Sequence, residues 1–137
     1  MGFKALLAAT LLVGGCTTVA AEPRTLAGTR WQVTAINGQT TPAGPFEMTF
    51  EARSFSARMG CNHAGGDYRM DRDTLAPGPI AATRMACEAA GDVPVPLMTW
   101  EQWGFAVLSR PMQIRWTSAG RLTLSNEAGS IALERRP

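Results

Sequence analysis

After Lys4 the chain contains no lysine, and across 137 residues it has one histidine, one tyrosine and three cysteines. It also lacks any apolar run approaching the roughly 20 residues that a membrane-spanning helix needs. Gly-x-Ser-x-Gly, His-Glu-x-x-His and a glycine-rich phosphate loop are all missing, which removes the hydrolase, metalloprotease and nucleotide-binding classes those motifs carry. There is no basic run and no aromatic stripe interleaved with cations, so no electrostatic footprint for nucleic acid. A repeat of roughly 20 to 50 residues is likewise missing, which excludes solenoids. Beyond Lys4 every cation is an arginine, twelve of them against eleven carboxylate side chains, so the charge is close to balanced.

The opening MGFKALLAATLLVGGC has one cation, an apolar run from Ala5 to Val13, and then Gly14 and Gly15 before Cys16. This is the layout of a secretory signal, too short to span a bilayer. The tetrad VGGC also resembles a bacterial lipobox, in which the cysteine is acylated and the chain is cut just before it; Val13 stands where leucine is commoner. An ordinary secretory signal with a cysteine near its cut is the alternative. Residues 1–15 are expected to leave as a lipoprotein signal peptide and Cys16 to carry lipid that holds the protein on a membrane. Residues 16–25 are small, polar and proline-containing, and read as a flexible tether. Residues 26–137 remain as one compact domain. Thr17 is not the aspartate that commonly retains such proteins at the inner membrane, which favours the outer membrane.

Beyond Leu26, apolar and polar residues alternate with the period of half-buried strands. Trp31, Val33 and Ala35 share one face, and Asn37-Gly38 supplies a turn. Phe46, Met48 and Phe50 repeat the pattern, followed after the turn EARS (51–54) by Phe55, Ala57, Met59 and Cys61. Tyr68 and Met70 share the next inward face, which ends at the turn DRD (71–73). Ile114 with Trp116, Leu122 with Leu124, and Ile131 with Leu133 mark a three-strand meander turned at SAG (118–120) and NEAG (126–129).

One segment departs from this period. Leu97, Trp100, Gly104, Val107 and Leu108 recur at helical spacing and predict an amphipathic helix over residues 96–109. Its stripe reads as core facing a sheet, with a partner-binding face as the alternative. Gly104 costs ~1 kcal/mol relative to alanine there and marks a close approach. Short antiparallel strands plus one helix predict a mainly β fold, a barrel or curled sheet closed or plugged by the helix.

Four stretches, LAGTRWQVTAING (26–38), MTFEARSFSARMGCNHAGGDY (48–68), ATRMAC (82–87) and RLTLSNEAGSIALER (121–135), resemble in order and spacing the META domain of HslJ-like envelope lipoproteins. The most specific piece is Gly60, Cys61, Asn62, Gly66 and Tyr68, followed by Thr83, Met85 and Cys87. Ala27 is an insertion in the Leu-Gly-Thr-x-Trp start, and EAAGDVPVP (88–96) is a longer, more proline-rich approach to the helix than is usual. The resemblance implies a lipocalin-like, incomplete antiparallel barrel of about eight short strands with one amphipathic helix. It also implies a place on the periplasmic side of a bacterial envelope and an association with heat and stress responses. It carries over no catalytic residue and no cofactor.

Cys61 and His63 admit three readings. A zinc site would draw on Cys61, His63 and Cys87, one ligand short of the usual structural four. A cysteine nucleophile would need His63 as base, but the two are too close in sequence to face each other along an extended strand. The third reading is a disulfide. If Cys16 is acylated, Cys61 and Cys87 are left in an oxidising compartment on inward faces, Cys61 with Phe55 and Met59, Cys87 with Thr83 and Met85. Two reduced, buried thiols packing as small hydrophobes are the alternative to that bond. On the disulfide reading Gly60, Gly65 and Gly66 serve a bulge or tight connection, Asn62 satisfies backbone groups and His63 is an exposed turn residue. Asp67, Asp71 and Asp73 read as solvated hairpin residues rather than calcium ligands.

The expected function is non-enzymatic: a periplasm-facing lipoprotein that binds another envelope protein and supports stress tolerance. A carrier is the alternative, with Trp31, Phe46, Phe50, Phe55 and Trp116 lining a barrel cavity for a lipid or small apolar ligand. A weaker third reading is inhibition of an envelope protease by the loop INGQTTPAGP (36–45).

Overall fold

The computed structural model describes Gly2 and residues 14–18, 24–87 and 94–137. Most of the expected signal peptide, residues 19–23 of the expected tether and residues 88–93 lie outside the described residues. Ten strands and one helix follow in chain order: β1 Thr29–Ile36, β2 Gln39–Thr40, β3 Phe46–Phe50, β4 Ser54–Met59, β5 His63–Asp71, β6 Thr74–Pro77, β7 Ala81–Ala82, α1 Leu97–Leu108, β8 Met112–Ser118, β9 Arg121–Asn126 and β10 Gly129–Arg136. No helix among the described residues is long and apolar enough to cross a membrane.

Eight strands form an antiparallel ring in the order β1-β3-β4-β5-β6-β8-β9-β10, and the two-residue strands β2 and β7 append to β1 and β5. The ring is closed where the resemblance implied an incomplete one, because β10 pairs back onto β1 from Arg30↔Arg136 to Ile36↔Ile131. That seam joins the two ends of the domain, and closure leaves no exposed edge along it. The thinnest seam is β6 with β8, where only Thr74↔Gln113 and Leu75↔Met112 pair. The Ile114 N–H adds a bond to the Asp73 carbonyl at 2.7 Å, and Gln113 Nε2 donates to Thr74 Oγ1 at 3.1 Å.

Alternation delivers most of one contiguous core, but a register shift in β1 between Val33 and Ala35 turns Ile36 inward in place of the expected Ala35, which is half-buried. Trp31, Val33, Ile36, Phe46, Met48, Phe50, Met59, Leu124 and Ile131 are all inside the ring and essentially without solvent contact. Trp31 stacks edge-on against Trp116 at 5.8 Å, and its indole N–H donates to Thr29 Oγ1 at 2.7 Å, so its one polar atom is satisfied. Phe50 meets Tyr68 edge-on at 5.7 Å. The five aromatics nominated to line a ligand cavity thus sit in this packing: four are buried and Trp116 is half-buried. Met70 is a correction. It was expected inward with Tyr68 but is 45% exposed, at a point where β5 overhangs β4, whose pairing with it stops at Ser54↔Asp67.

The helix forms where the sequence places it, with Pro96 and Ser109 as its flanking caps. It lies across one end of the barrel. Trp100 meets Phe46 edge-on at 5.9 Å, and Val107 and Leu108 are fully buried. Each such burial stabilises the domain by ~1.5–3 kcal/mol. Gly104 marks the close approach its position suggested, since a Cβ there would overlap the Met59 sulfur. Asn126 Nδ2 donates to the Val107 carbonyl at 2.8 Å and ties off the helix end. Among the described residues no helix covers the opposite end of the ring. The chain enters the barrel there, past Leu26 and Thr29, beside the β3–β4 and β5–β6 turns.

Candidate functional site

Three turns of chain meet beside the first half of α1: the β4–β5 connection at residues 60–62, a strap over residues 78–87, and the helix itself. The strap starts with the Gly78 N–H donating to the Asp67 carbonyl at 2.8 Å, then runs beside β5 as β7, pairing Ala81 with Gly65 and Ala82 with Ala64. It passes so close over β5 that a Cβ on Gly66 would sit 2.6 Å from the Pro79 carbonyl oxygen. Gly65 is crowded from the other side, where a Cβ would sit 2.8 Å from the Phe55 carbonyl oxygen. These two glycines lie within a regular strand and not at a bulge, which corrects the expectation for them; what they accommodate is neighbouring backbone. Gly60 does serve the tight connection. Its φ of 132° disfavours a side chain, and a Cβ there would press on Glu101 and the Leu97 carbonyl at 3.1 and 3.2 Å.

At the centre is a carboxylate that the sequence reading passed over. Glu101, on the buried face of α1, is 5% exposed. Its Oε1 accepts the backbone N–H of Cys61 at 2.8 Å and that of Asn62, while Oε2 accepts from Asn62 Nδ2 at 2.9 Å. Asn62, itself 3% exposed, turns the rest of its amide to the strap. Its Oδ1 accepts the Met85 N–H at 2.7 Å and the Thr83 hydroxyl at 3.0 Å, and its Nδ2 donates to the Met85 carbonyl at 3.0 Å. The side chain therefore pairs with Met85 as a neighbouring strand would. Thr83 Oγ1 also accepts the His63 N–H at 3.0 Å. Cys61 and Cys87 close the assembly with a disulfide whose Cα atoms are 5.8 Å apart.

The motif residues thus have distinct jobs. Gly60 makes room, Cys61 and Cys87 fasten, Asn62 hydrogen-bonds the strap, Thr83 bonds back from the strap to Asn62 and His63, Gly66 lets it pass, and Met85 takes its bonds through its backbone. Tyr68 lies apart at the open end, where its hydroxyl donates to the Glu51 carbonyl at 2.7 Å. Burial, with the Glu51 carboxylate second, raises its pKa above the usual 10.0.

Several expectations change in detail. Cys87, Thr83 and Met85 are not on an inward strand face: the strap is regular only at Ala81–Ala82, Thr83 and Met85 are exposed, and both cysteines are half-buried at the barrel's flank. His63 is exposed as expected but is the first residue of β5 rather than a turn residue. It does not join the sulfurs. Among the described residues, the one group of three potential metal ligands within 4.8 Å of one another is Cys61, Cys87 and Glu101, and the sulfur bond leaves neither cysteine a thiolate to offer. Asp67, Asp71 and Asp73 are exposed along the β5–β6 hairpin and form no such group. Cys16 is exposed and outside the bridge.

Between strap and helix lies a groove of about 830 Å³, walled by Met85 and Ala86 on one side and by Met98, Gln102 and Phe105 on the other. Met85 is 58% exposed and Met98 49%.

A small closed barrel, plugged at one end by a helix and stapled there by a disulfide-bonded strap, is the class of domain these features define. The META domain family matches residues 24–136, and the protein belongs to that family. No curated protein matches it. Two solved structures share the fold. One, an NMR structure, is 24% identical with a TM-score of 0.65, covering 80% of this chain and 90% of the other. The second, the NMR structure of a protein from Burkholderia xenovorans, is 20% identical with a TM-score of 0.63, covering 93% and 99%. At these identities the likeness is one of fold.

Proposed function

We propose that this META domain is a non-enzymatic binding module of the bacterial envelope, anchored by lipid on Cys16, facing the periplasm, most consistently on the outer membrane. It supports heat and envelope-stress tolerance by docking a segment of another envelope protein in the groove between the strap and α1. One observation carries the reading. Of the three large hydrophobic side chains exposed among the described residues, two, Met85 and Met98, face each other across this groove. Methionine is unbranched and polarisable, suited to packing against varied partners, while the walls behind it are pinned by the disulfide and the Glu101–Asn62 network. An apolar segment laid between them would cover surface that otherwise faces water.

The absence of an enzymatic role is supported by how the groove's chemistry is spent. Both oxygens of Glu101 accept hydrogen bonds and both nearby sulfurs are bonded to each other. The carrier alternative draws less support, since the aromatics it would need as cavity walls pack against one another. The loop offered as a protease inhibitor folds back on β1, with the Thr41 N–H donating to the Thr34 carbonyl at 3.0 Å, which suits a connection.

The test is Met85→Glu with Met98→Glu in a strain lacking the wild-type protein. Both positions are exposed, so the melting temperature should stay within a few degrees. Heat tolerance should fall to that of the deletion strain, and a protein co-purified with wild type after mild crosslinking should be lost. Full restoration of tolerance by the double variant would contradict the proposal.

A further inference from the structure

At the end of the barrel away from the helix is a second depression of about 830 Å³, with a different character. Its floor is apolar, formed by Leu26, Tyr68, Ile114 and the half-buried Trp116, and its rim carries Arg24, Arg53, Arg69 and Arg72 with Asp73 as the single carboxylate in the lining. Glu51 stands nearby, close enough to influence Tyr68. All four arginines are exposed, and the two ion pairs among the described residues, Arg110–Glu127 and Arg121–Glu134, include none of them. Met70, the third exposed large hydrophobic, projects from the same rim.

The geometry points to this mouth as a membrane-contact surface that takes the phosphate groups of anionic phospholipids on its arginines. Guanidinium forks match phosphate oxygens bidentately, and an apolar floor that includes a tryptophan, with a methionine at its margin, suits the boundary between headgroup and acyl chain. Placement argues for a bilayer. Residues 24 to 27 line the mouth, so the segment leading from Cys16 arrives there, and the eight residue steps from Cys16 to Arg24 reach at most about 29 Å. A lipid on Cys16 would hold the mouth within that distance of the membrane. Strand β4 runs from the mouth at Ser54 to the staple end at Met59, a rise of ~17 Å. Docking by the mouth therefore turns the strap–helix groove away from the bilayer, toward the periplasm. The surface is separate from that groove and uses the anchor only for orientation.

Every described strand, α1 and the disulfide lie within residues 24–137, so a chain beginning at residue 16 holds the whole barrel. That chain with Cys16→Ser carries no acyl group, which separates this proposal from the anchor. Its sedimentation with phosphatidylcholine vesicles is compared with that on vesicles also containing phosphatidylglycerol. Binding is expected only in the presence of phosphatidylglycerol, and is expected to be lost as the Debye length falls from ~10 Å in 0.1 M salt to ~3 Å in 1 M. Arg53→Gln with Arg69→Gln should weaken partitioning roughly 30-fold, about fivefold per charge. Arg84→Gln with Arg110→Gln, the same charge change at the other end, should leave it within about twofold. Equal retention by both vesicle types, no retention by either, or equal loss from the two double variants would each overturn the proposal.

Discussion

Removing the carboxylate of Glu101 is the most informative perturbation of the staple. Three donors converge on it: the N–H groups of Cys61 and Asn62 and the Asn62 amide. A buried donor left without a partner costs ~1–3 kcal/mol, and a bond to a charged acceptor contributes ~1.5–3 kcal/mol. Glu101→Ala orphans all three. Allowing water to reach the half-buried Cys61, the loss should be ~3–6 kcal/mol, a large share of a typical ~5–15. Glu101→Gln keeps the shape and one carbonyl oxygen, but it sets an NH₂ against the Asn62 NH₂ and removes the charge, so ~2 kcal/mol should go. At about 4 °C per kcal/mol for a domain of this size, the alanine variant should melt ~12 °C or more below wild type and the glutamine variant ~8 °C below. Thermal and urea unfolding with the disulfide intact would measure both, and amide exchange should show Cys61 and Asn62 losing protection first. An alanine variant melting within about 3 °C of wild type would refute the reasoning.

Other consequences follow from the same contacts. Tyr68 has a folded pKa raised above its unfolded value near 10.0, so its contribution is complete below that pH and is lost as pH climbs through the folded value; as the sole tyrosine, its ionisation is followed directly by ultraviolet absorbance. Alkaline unfolding should begin just above pH ~10 and be blunted in Tyr68→Phe, and identical alkaline profiles would contradict this. Gly104→Ala should destabilise by ~1–2 kcal/mol in urea unfolding despite alanine's better helix propensity, since its Cβ overlaps Met59; a stabilised variant would argue against that packing. Reduction should release the strap, so trypsin should cut at the exposed Arg84 about tenfold faster in the Cys61→Ser, Cys87→Ser variant, and an unchanged rate would show that the hydrogen bonds alone hold it.

The sequence made the local features legible because their causes are local. Two-residue periodicity placed seven of the eight barrel strands, β6 at Thr74–Pro77 being too short to show a period, and the turns at residues 51–54, 71–73, 118–120 and 126–129 all occur. Helical spacing located α1 to within a residue at each end. What it could not show was which distant segments meet. The β1–β10 seam joins the domain's two termini, and Gly65 and Gly66 make sense only once the strap is seen crossing β5. Met70 and Met85 were read inward on alternation alone, which fails where a strand overhangs its neighbour or where the segment is not a strand. Glu101 was within reach: it stands one residue after Trp100 and three before Gly104 on the apolar stripe. A lone carboxylate on such a face signals buried partners, here Asn62 and its neighbours.

The strap and the groove it walls depend most directly on the bond between Cys61 and Cys87. Closing that loop, with a sequence separation of 26, contributes ~3.5 kcal/mol in the chain-entropy model and fixes the strap that walls the groove. Protein taken from the envelope, alkylated without reductant and digested for mass spectrometry, should yield the peptides bearing these two cysteines joined and unlabelled, separating only after reduction. Recovery of both as free, alkylated peptides without reductant would contradict it.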